Sequence, residues 1–95
     1  MMAENFDRDL FMQVKRDLTL TLLYLNGFRE RDFEDYLRSW KGYDFGDINL
    51  LAEEGYISEG RRAKSVVLYE EGIERAKKLL EKYGFNEIVD ANDKL

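Results

Sequence analysis

Apolar residues recur at helical spacing from about Phe6 to Asn26, where Phe11, Val14, Leu18, Leu22 and Leu25 align as one long stripe. The second half of this segment, LTLTLLYL, also alternates with a period of two, which is the strand pattern. Length decides for a helix, because a strand rarely runs so far without a turn residue. Asn26-Gly27 then predicts a left-handed stop. Leu20, Leu23 and Tyr24 lie off the stripe, so the C-terminal half of the helix is apolar almost all round. A helix of that kind is either central in a core or covered by a partner.

A shorter helical pattern follows. Asp32 can cap it, and Phe33, Tyr36, Leu37 and Trp40 fall at i, i+3, i+4 and i+7. Lys41-Gly42-Tyr43-Asp44 interrupts it. A third helix is predicted over residues 44–54, with Asp44 as N-cap and Asp47 in the first turn, where an acid suits the helix dipole. Phe45, Ile48, Leu51 and Ala52 form its inner face, and Gly55 ends it. Residues 56–58 and 65–69 then read as two strands around a polar connection longer than a tight hairpin turn. A lone hairpin is marginal in water, and Val66 and Leu68 on one face supply the packing it needs. The last helix starts near Glu70, with Ile73, Ala76, Leu80 and Tyr83 as its stripe and Leu79 widening it. Glu74–Lys78 and Lys77–Glu81 are favourable i,i+4 pairs, and Gly84 is the stop. Residues 86–95 are expected to fray, with Phe85, Ile88 and Val89 able to dock.

Helix, helix, helix, two-stranded wing, helix is a winged-helix order. The expected fold class is therefore mainly α with a small β-hairpin, winged-helix-like, in a single domain over residues 1–95. Ninety-five residues suffice for one core. A hydrophobic content of 44% beside 37% charged residues suits a soluble domain with a heavily charged surface. No run approaches a membrane span, and the N-terminus shows no basic segment leading into an apolar one, so neither a span nor a signal peptide is predicted. With no cysteine, the expected location is the cytoplasm.

The absence of His and Cys excludes the usual zinc ligands, thiol nucleophiles and Ser–His dyads. Carboxylate pairs such as Asp32 with Asp35, Asp44 with Asp47 and Glu70 with Glu74 read as caps and solvated helix faces, since no spacing resembles a calcium loop. No catalytic residue, cofactor or metal ligand is assigned, and the domain is not expected to be an enzyme.

The blocks LLYLNGF, RSWKGYDF, LAEEGYIS and AKSVVLYEEGIERAKKLLEKYGF resemble a bacterial family of small domains of unknown function, over about Leu18 to Phe85. The resemblance implies a winged-helix-like fold and carries no activity, substrate or catalytic residue. A helix ending in EEGYIS, a basic turn and VVLYEEG is also similar to the wing region of many bacterial winged-helix regulators. Those regulators commonly have Thr or Ser as cap of the last helix where this chain has Tyr69, and losing such a cap typically costs about 1 kcal/mol.

Two surfaces are candidates for function. Arg61, Arg62 and Lys64 in the basic turn could contact phosphates, with Lys15, Arg16, Arg29, Arg31, Arg38 or Lys41 assisting if they cluster with it. The third helix opposes this, since it carries Asp44, Asp47, Glu53 and Glu54 and no Lys or Arg, leaving Asn49 alone as an adenine reader. The net charge of −5 points the same way. The aromatic group Tyr36, Trp40, Tyr43 and Phe45 reads as core joining the second and third helices. The other surface is the apolar end of the first helix, where Leu20, Leu23 and Tyr24 are the candidate interface. A three-helix core with a wing cannot easily surround a helix roughly 30 Å long. The leading expectation is thus a non-enzymatic protein-interaction or dimerisation module, working as a homodimer or with a protein partner. The alternative is a DNA-binding transcriptional regulator with a basic wing.

Overall fold

The computed structural model describes residues 7–30, 33–58 and 64–93. The elements run α1 (Arg8–Leu25), β1 (Phe28–Glu30), β2 (Phe33–Trp40), α2 (Phe45–Glu53), β3 (Ser65–Leu68), α3 (Glu70–Lys82) and α4 (Asn86–Asp93). The chain is mainly helical with a small antiparallel sheet in the order β1-β2-β3, a winged-helix-like architecture. α1 packs against both α2 and α3 and reaches β2, while β3 leads directly onto α3. The core lies where these elements converge, on Leu20, Leu23, Leu51, Ile57, Val66, Leu68, Ala76 and Leu80.

The second element is a strand, not the helix that its i, i+3, i+4, i+7 spacing predicts. Residues 33–40 support both patterns, and pairing decides between them. Leu37 lies opposite Leu68 and Ser39 opposite Val66, which puts four side chains of one sheet face into the core. Tyr36 and Trp40 are exposed on the other face. Aromatic residues favour a pleated, half-buried surface, so propensity does not resist the change. Ser39, fully buried, hides the alternation because a polar residue occupies an inward position. The aromatic group therefore does not join two helices. Tyr36, Trp40 and Phe45 are exposed, and Trp40 leans on Phe28 with ring centroids 5.2 Å apart. Tyr43 alone of the four packs against the core, and its hydroxyl accepts from Asn26 Nδ2 at 3.0 Å.

Two of the predicted stops are left-handed, at Gly55 (φ 83°) and Gly84 (φ 88°). Asn26 instead closes α1 at φ −91°, and Gly27 has no positive φ. Gly27 serves another need, because a Cβ there would press on the Leu37 side chain. The first wing strand contracts to a bridge between Ile57 and Leu68, held by Ser58 N–H donating to the Val67 carbonyl and Tyr69 N–H to that of Tyr56, both at 2.9 Å. β3 thus lies between that bridge and β2. Tyr69 caps α3 without a side-chain hydrogen bond, as a phenol must. Where fraying is expected from residue 86, α4 is helical over Asn86–Asp93 and Val89 is buried in the core cluster.

Candidate functional site

α1 is capped by Asp7, whose carboxylate accepts from Leu10 N–H at 3.1 Å. Eighteen residues follow, with faces of opposite fate. Leu20, Leu23 and Tyr24 are buried, the two leucines at 0% exposure. They contact their own chain's core and have no surface left to offer a partner, so the expected interface at these positions is corrected. The long stripe read from the sequence is on the outside. Leu10, Phe11, Val14, Leu18, Leu22 and Leu25 are all exposed, Leu18 to 46%. From Phe11 to Leu25 this face runs about 21 Å along the helix.

The charged residues of α1 explain the orientation. Lys15, Arg16 and Asp17 are the only charged residues between Leu10 and Leu25, and all three pair within the chain. Lys15 Nζ lies 3.1 Å from Asp44 Oδ2 and 3.1 Å from Asp47 Oδ2. Arg16 Nε lies 3.2 Å from Glu54 Oε1, and Arg75 Nη2 approaches Asp17 at 3.4 Å. Gln13 bridges the last two residues, donating to Asp17 at 3.0 Å and accepting from Arg16 at 2.6 Å. Thr19 and Thr21, both buried, donate back to the Lys15 and Asp17 carbonyls at 2.8 Å. These charges are thus ion-paired, and the one that borders the outward face, Lys15, four residues after Phe11 and seven before Leu22, is held by Asp44 and Asp47.

Lys15 is the centre of that arrangement. Asp44 uses one oxygen to accept from the Gly46 and Asp47 N–H groups, capping α2, and the other to face Lys15. Asp47 is 1% exposed, and its side chain meets the Lys15 ammonium. The Asp47 and then Asp44 carboxylates raise the Lys15 ammonium above its ordinary pKa. The hydrogen bond from Lys15, followed by those from the two backbone N–H groups, lowers the Asp44 carboxyl below its ordinary value. Two of the cations that might have assisted a basic wing are therefore committed to the acids of α2. The expectation that no cation offsets those acids is corrected as well.

The remaining basic candidates among the described residues lie on or beside the sheet. Lys64 is exposed just before β3, and its carbonyl accepts from Lys41 N–H at 3.1 Å. Arg38 Nε donates to Ser65 Oγ at 3.4 Å on the outer sheet face. Arg29 is exposed on β1. Arg31, Arg61 and Arg62 lie outside the described residues. The exposed side of α2 presents Phe45, Asn49 and Glu53. An open groove of about 500 Å³ beside α3 is lined by Tyr56, Glu70, Glu71, Glu74, Arg75 and Lys78, which are helix-face charges rather than a convergent reactive set.

The geometry leaves α1's apolar stripe exposed, and the sequence singled out its residues while leaving core and partner both open. No curated protein and no solved structure gives a match. A family model covers residues 13–86, from within α1 to the first residue of α4. The chain belongs to that family, DUF6429, described as a domain of unknown function.

Proposed function

We propose that this domain is a non-enzymatic, winged-helix-like interaction module of the bacterial cytoplasm that acts as a homodimer through the outward face of α1. The observation carrying this reading is the exposed apolar stripe of α1. Single exposed apolar residues are ordinary, but a contiguous row along one helix marks an interaction surface. The one cation bordering the row, Lys15, is already paired with Asp44 and Asp47, so a second copy of the same surface is a matching partner. The acids at α2, Asp44, Asp47 and Glu54, are occupied as a cap and in ion pairs, which supports a non-enzymatic role. No helix among the described residues is long and apolar enough to cross a membrane. Light scattering at tens of micromolar is expected to give twice the 11.3 kDa chain mass, and Leu18→Glu to reduce it to one chain. A clean monomer mass for the unmodified protein sinks the proposal.

One observation favours a second reading. Lys15 and Arg16 pair with three of the four acids near α2 and offset two of their four negative charges, so repulsion from a phosphate backbone is weaker than the sequence indicates. A DNA-binding regulator using Arg61, Arg62 and Lys64 is that alternative. It ranks second because the exposed side of α2 adds no cation.

A further inference from the structure

The outward residues of α1 also specify how two copies meet; this rests on the homodimer proposed above. Phe11, Val14, Leu18, Leu22 and Leu25 are separated by steps of 3, 4, 4 and 3 residues. That spacing reads the same from either end and is centred on Leu18. We propose that two α1 helices pack antiparallel about a twofold axis at Leu18, so that Leu18 meets Leu18 of the second copy and Val14 meets its Leu22.

The seam uses Leu22, which is exposed, rather than Thr21, which is buried in its own chain with its hydroxyl donating to the Asp17 carbonyl at 2.8 Å. Two arguments separate the antiparallel pair from a parallel one. Layer volumes differ. In-register parallel packing stacks Phe on Phe beside Val on Val, an overfilled layer next to an underfilled one. Antiparallel packing gives Phe with Leu, Val with Leu and Leu with Leu, which suits a close-packed interface. Finally, each helix N-terminus then lies near the other's C-terminus, where the dipoles attract. The twofold arrangement is isologous and closes at two copies.

The chain has no cysteine, so single introduced thiols report the register. In the antiparallel arrangement the two Val14 positions are offset by the eight residues from Val14 to Leu22. That is about 12 Å along the axis, beyond the roughly 7 Å between Cα atoms that a disulfide spans. Under mild oxidation Leu18→Cys is expected to cross-link with itself. Val14→Cys and Leu22→Cys are each expected to remain single chains on a non-reducing gel, and their mixture to give the disulfide-linked pair, with circular dichroism confirming that each variant is folded. Self-cross-linking of Val14→Cys as complete as that of Leu18→Cys overturns the antiparallel arrangement and leaves the homodimer standing. If the unmodified protein sediments as a dimer but neither Leu18→Cys nor the mixture cross-links, α1 is not the seam. If it sediments as a monomer, the homodimer itself falls.

Discussion

Replacing Leu18 by Ala separates the two roles that α1 can have. Leu18 is 46% exposed, so about half of its surface awaits a partner. Complete burial of a leucine side chain contributes about 1.5–3 kcal/mol, which leaves roughly 1 kcal/mol to be gained when a second copy covers it. A twofold interface counts the residue in both chains, for about 2 kcal/mol per dimer, of which Ala recovers little. At 1.4 kcal/mol per factor of ten, Leu18→Ala is expected to raise the dimer Kd about 30-fold. The chain itself keeps its fold, since Ala is a strong helix former and the lost contacts are at a half-exposed site. Sedimentation equilibrium over a concentration series measures the constant for both proteins. Leu20→Ala is the contrast. Leu20 is fully buried, and truncating it is expected to cost about 2–5 kcal/mol of folding stability, read in the thermal or denaturant midpoint. A folded Leu18→Ala protein whose Kd stays within about threefold of the parent refutes the reasoning, because the exposed half of Leu18 would then contribute nothing to association.

Gly72→Ala tests how closely α3 meets the segment before it: a Cβ at this buried site would overlap the Tyr56 carbonyl, which also accepts from Tyr69 N–H. Overpacking of about 1–3 kcal/mol is expected to outweigh a helix-propensity gain of about 1 kcal/mol, and a denaturant midpoint equal to or above the parent's excludes the close contact. Asp44→Asn tests the Lys15 arrangement by pH, since Asn caps a helix as well as Asp and removes only the charge. The folded-state pKa of Asp44 is depressed, so its contribution is complete above the ordinary carboxylate range near pH 4 and is lost as pH falls through the lower folded value. Lys15 is raised, so its contribution is complete below about pH 10 and is lost as pH climbs through the higher folded value. The thermal midpoint of Asp44→Asn is therefore expected to fall less than the parent's between pH 5 and pH 2, and identical pH profiles rule out a role for that carboxylate. On random duplex DNA, little binding is expected even at low salt; tight binding that weakens steeply with salt and is lost in Arg61→Ala/Arg62→Ala promotes the regulator reading over the dimer module.

The helical elements with matched caps and periodicity were legible in the sequence. Asp44 caps α2 and Gly55 and Gly84 provide left-handed stops, because in these cases one residue type performs a local task that its neighbours do not perturb. β2 was not legible, because β1 before it is only three residues long, its other partner lies some thirty positions later, and the pairing Leu37↔Leu68 is written in neither segment alone. Helical spacing of Phe33, Tyr36, Leu37 and Trp40 is satisfied on paper by four apolar residues. In the fold Leu37 turns inward while Tyr36 and Trp40 turn outward, and only a sheet separates them that way. The buried Ser39 removes the remaining clue.

Which face of α1 turns inward was not legible for a more general reason. An apolar stripe is normally assigned to the core, but a helix apolar on both sides gives that rule two answers. The charged residues break the tie, and they do so only through their partners. Lys15, Arg16 and Asp17 occupy three successive positions and therefore point in three directions, so their placement within α1 favours no face. Asp47 becomes decisive once α2 is placed: a carboxylate 1% exposed demands a cation, and Lys15 meets it from α1. Glu54 fixes Arg16 and Arg75 fixes Asp17 in the same way. Arg16 and Asp17 flank the direction of Leu20 on the helix, so holding them against α2 and α3 turns Leu20 and Leu23 inward and leaves Val14, Leu18 and Leu22 outward, with Lys15 at the border between the two faces. The exposed stripe thus follows from ion pairing across the helices rather than from a shortage of core. Such a stripe is fixed in place before any partner arrives, so the second copy proposed above would meet it without reorganising the fold.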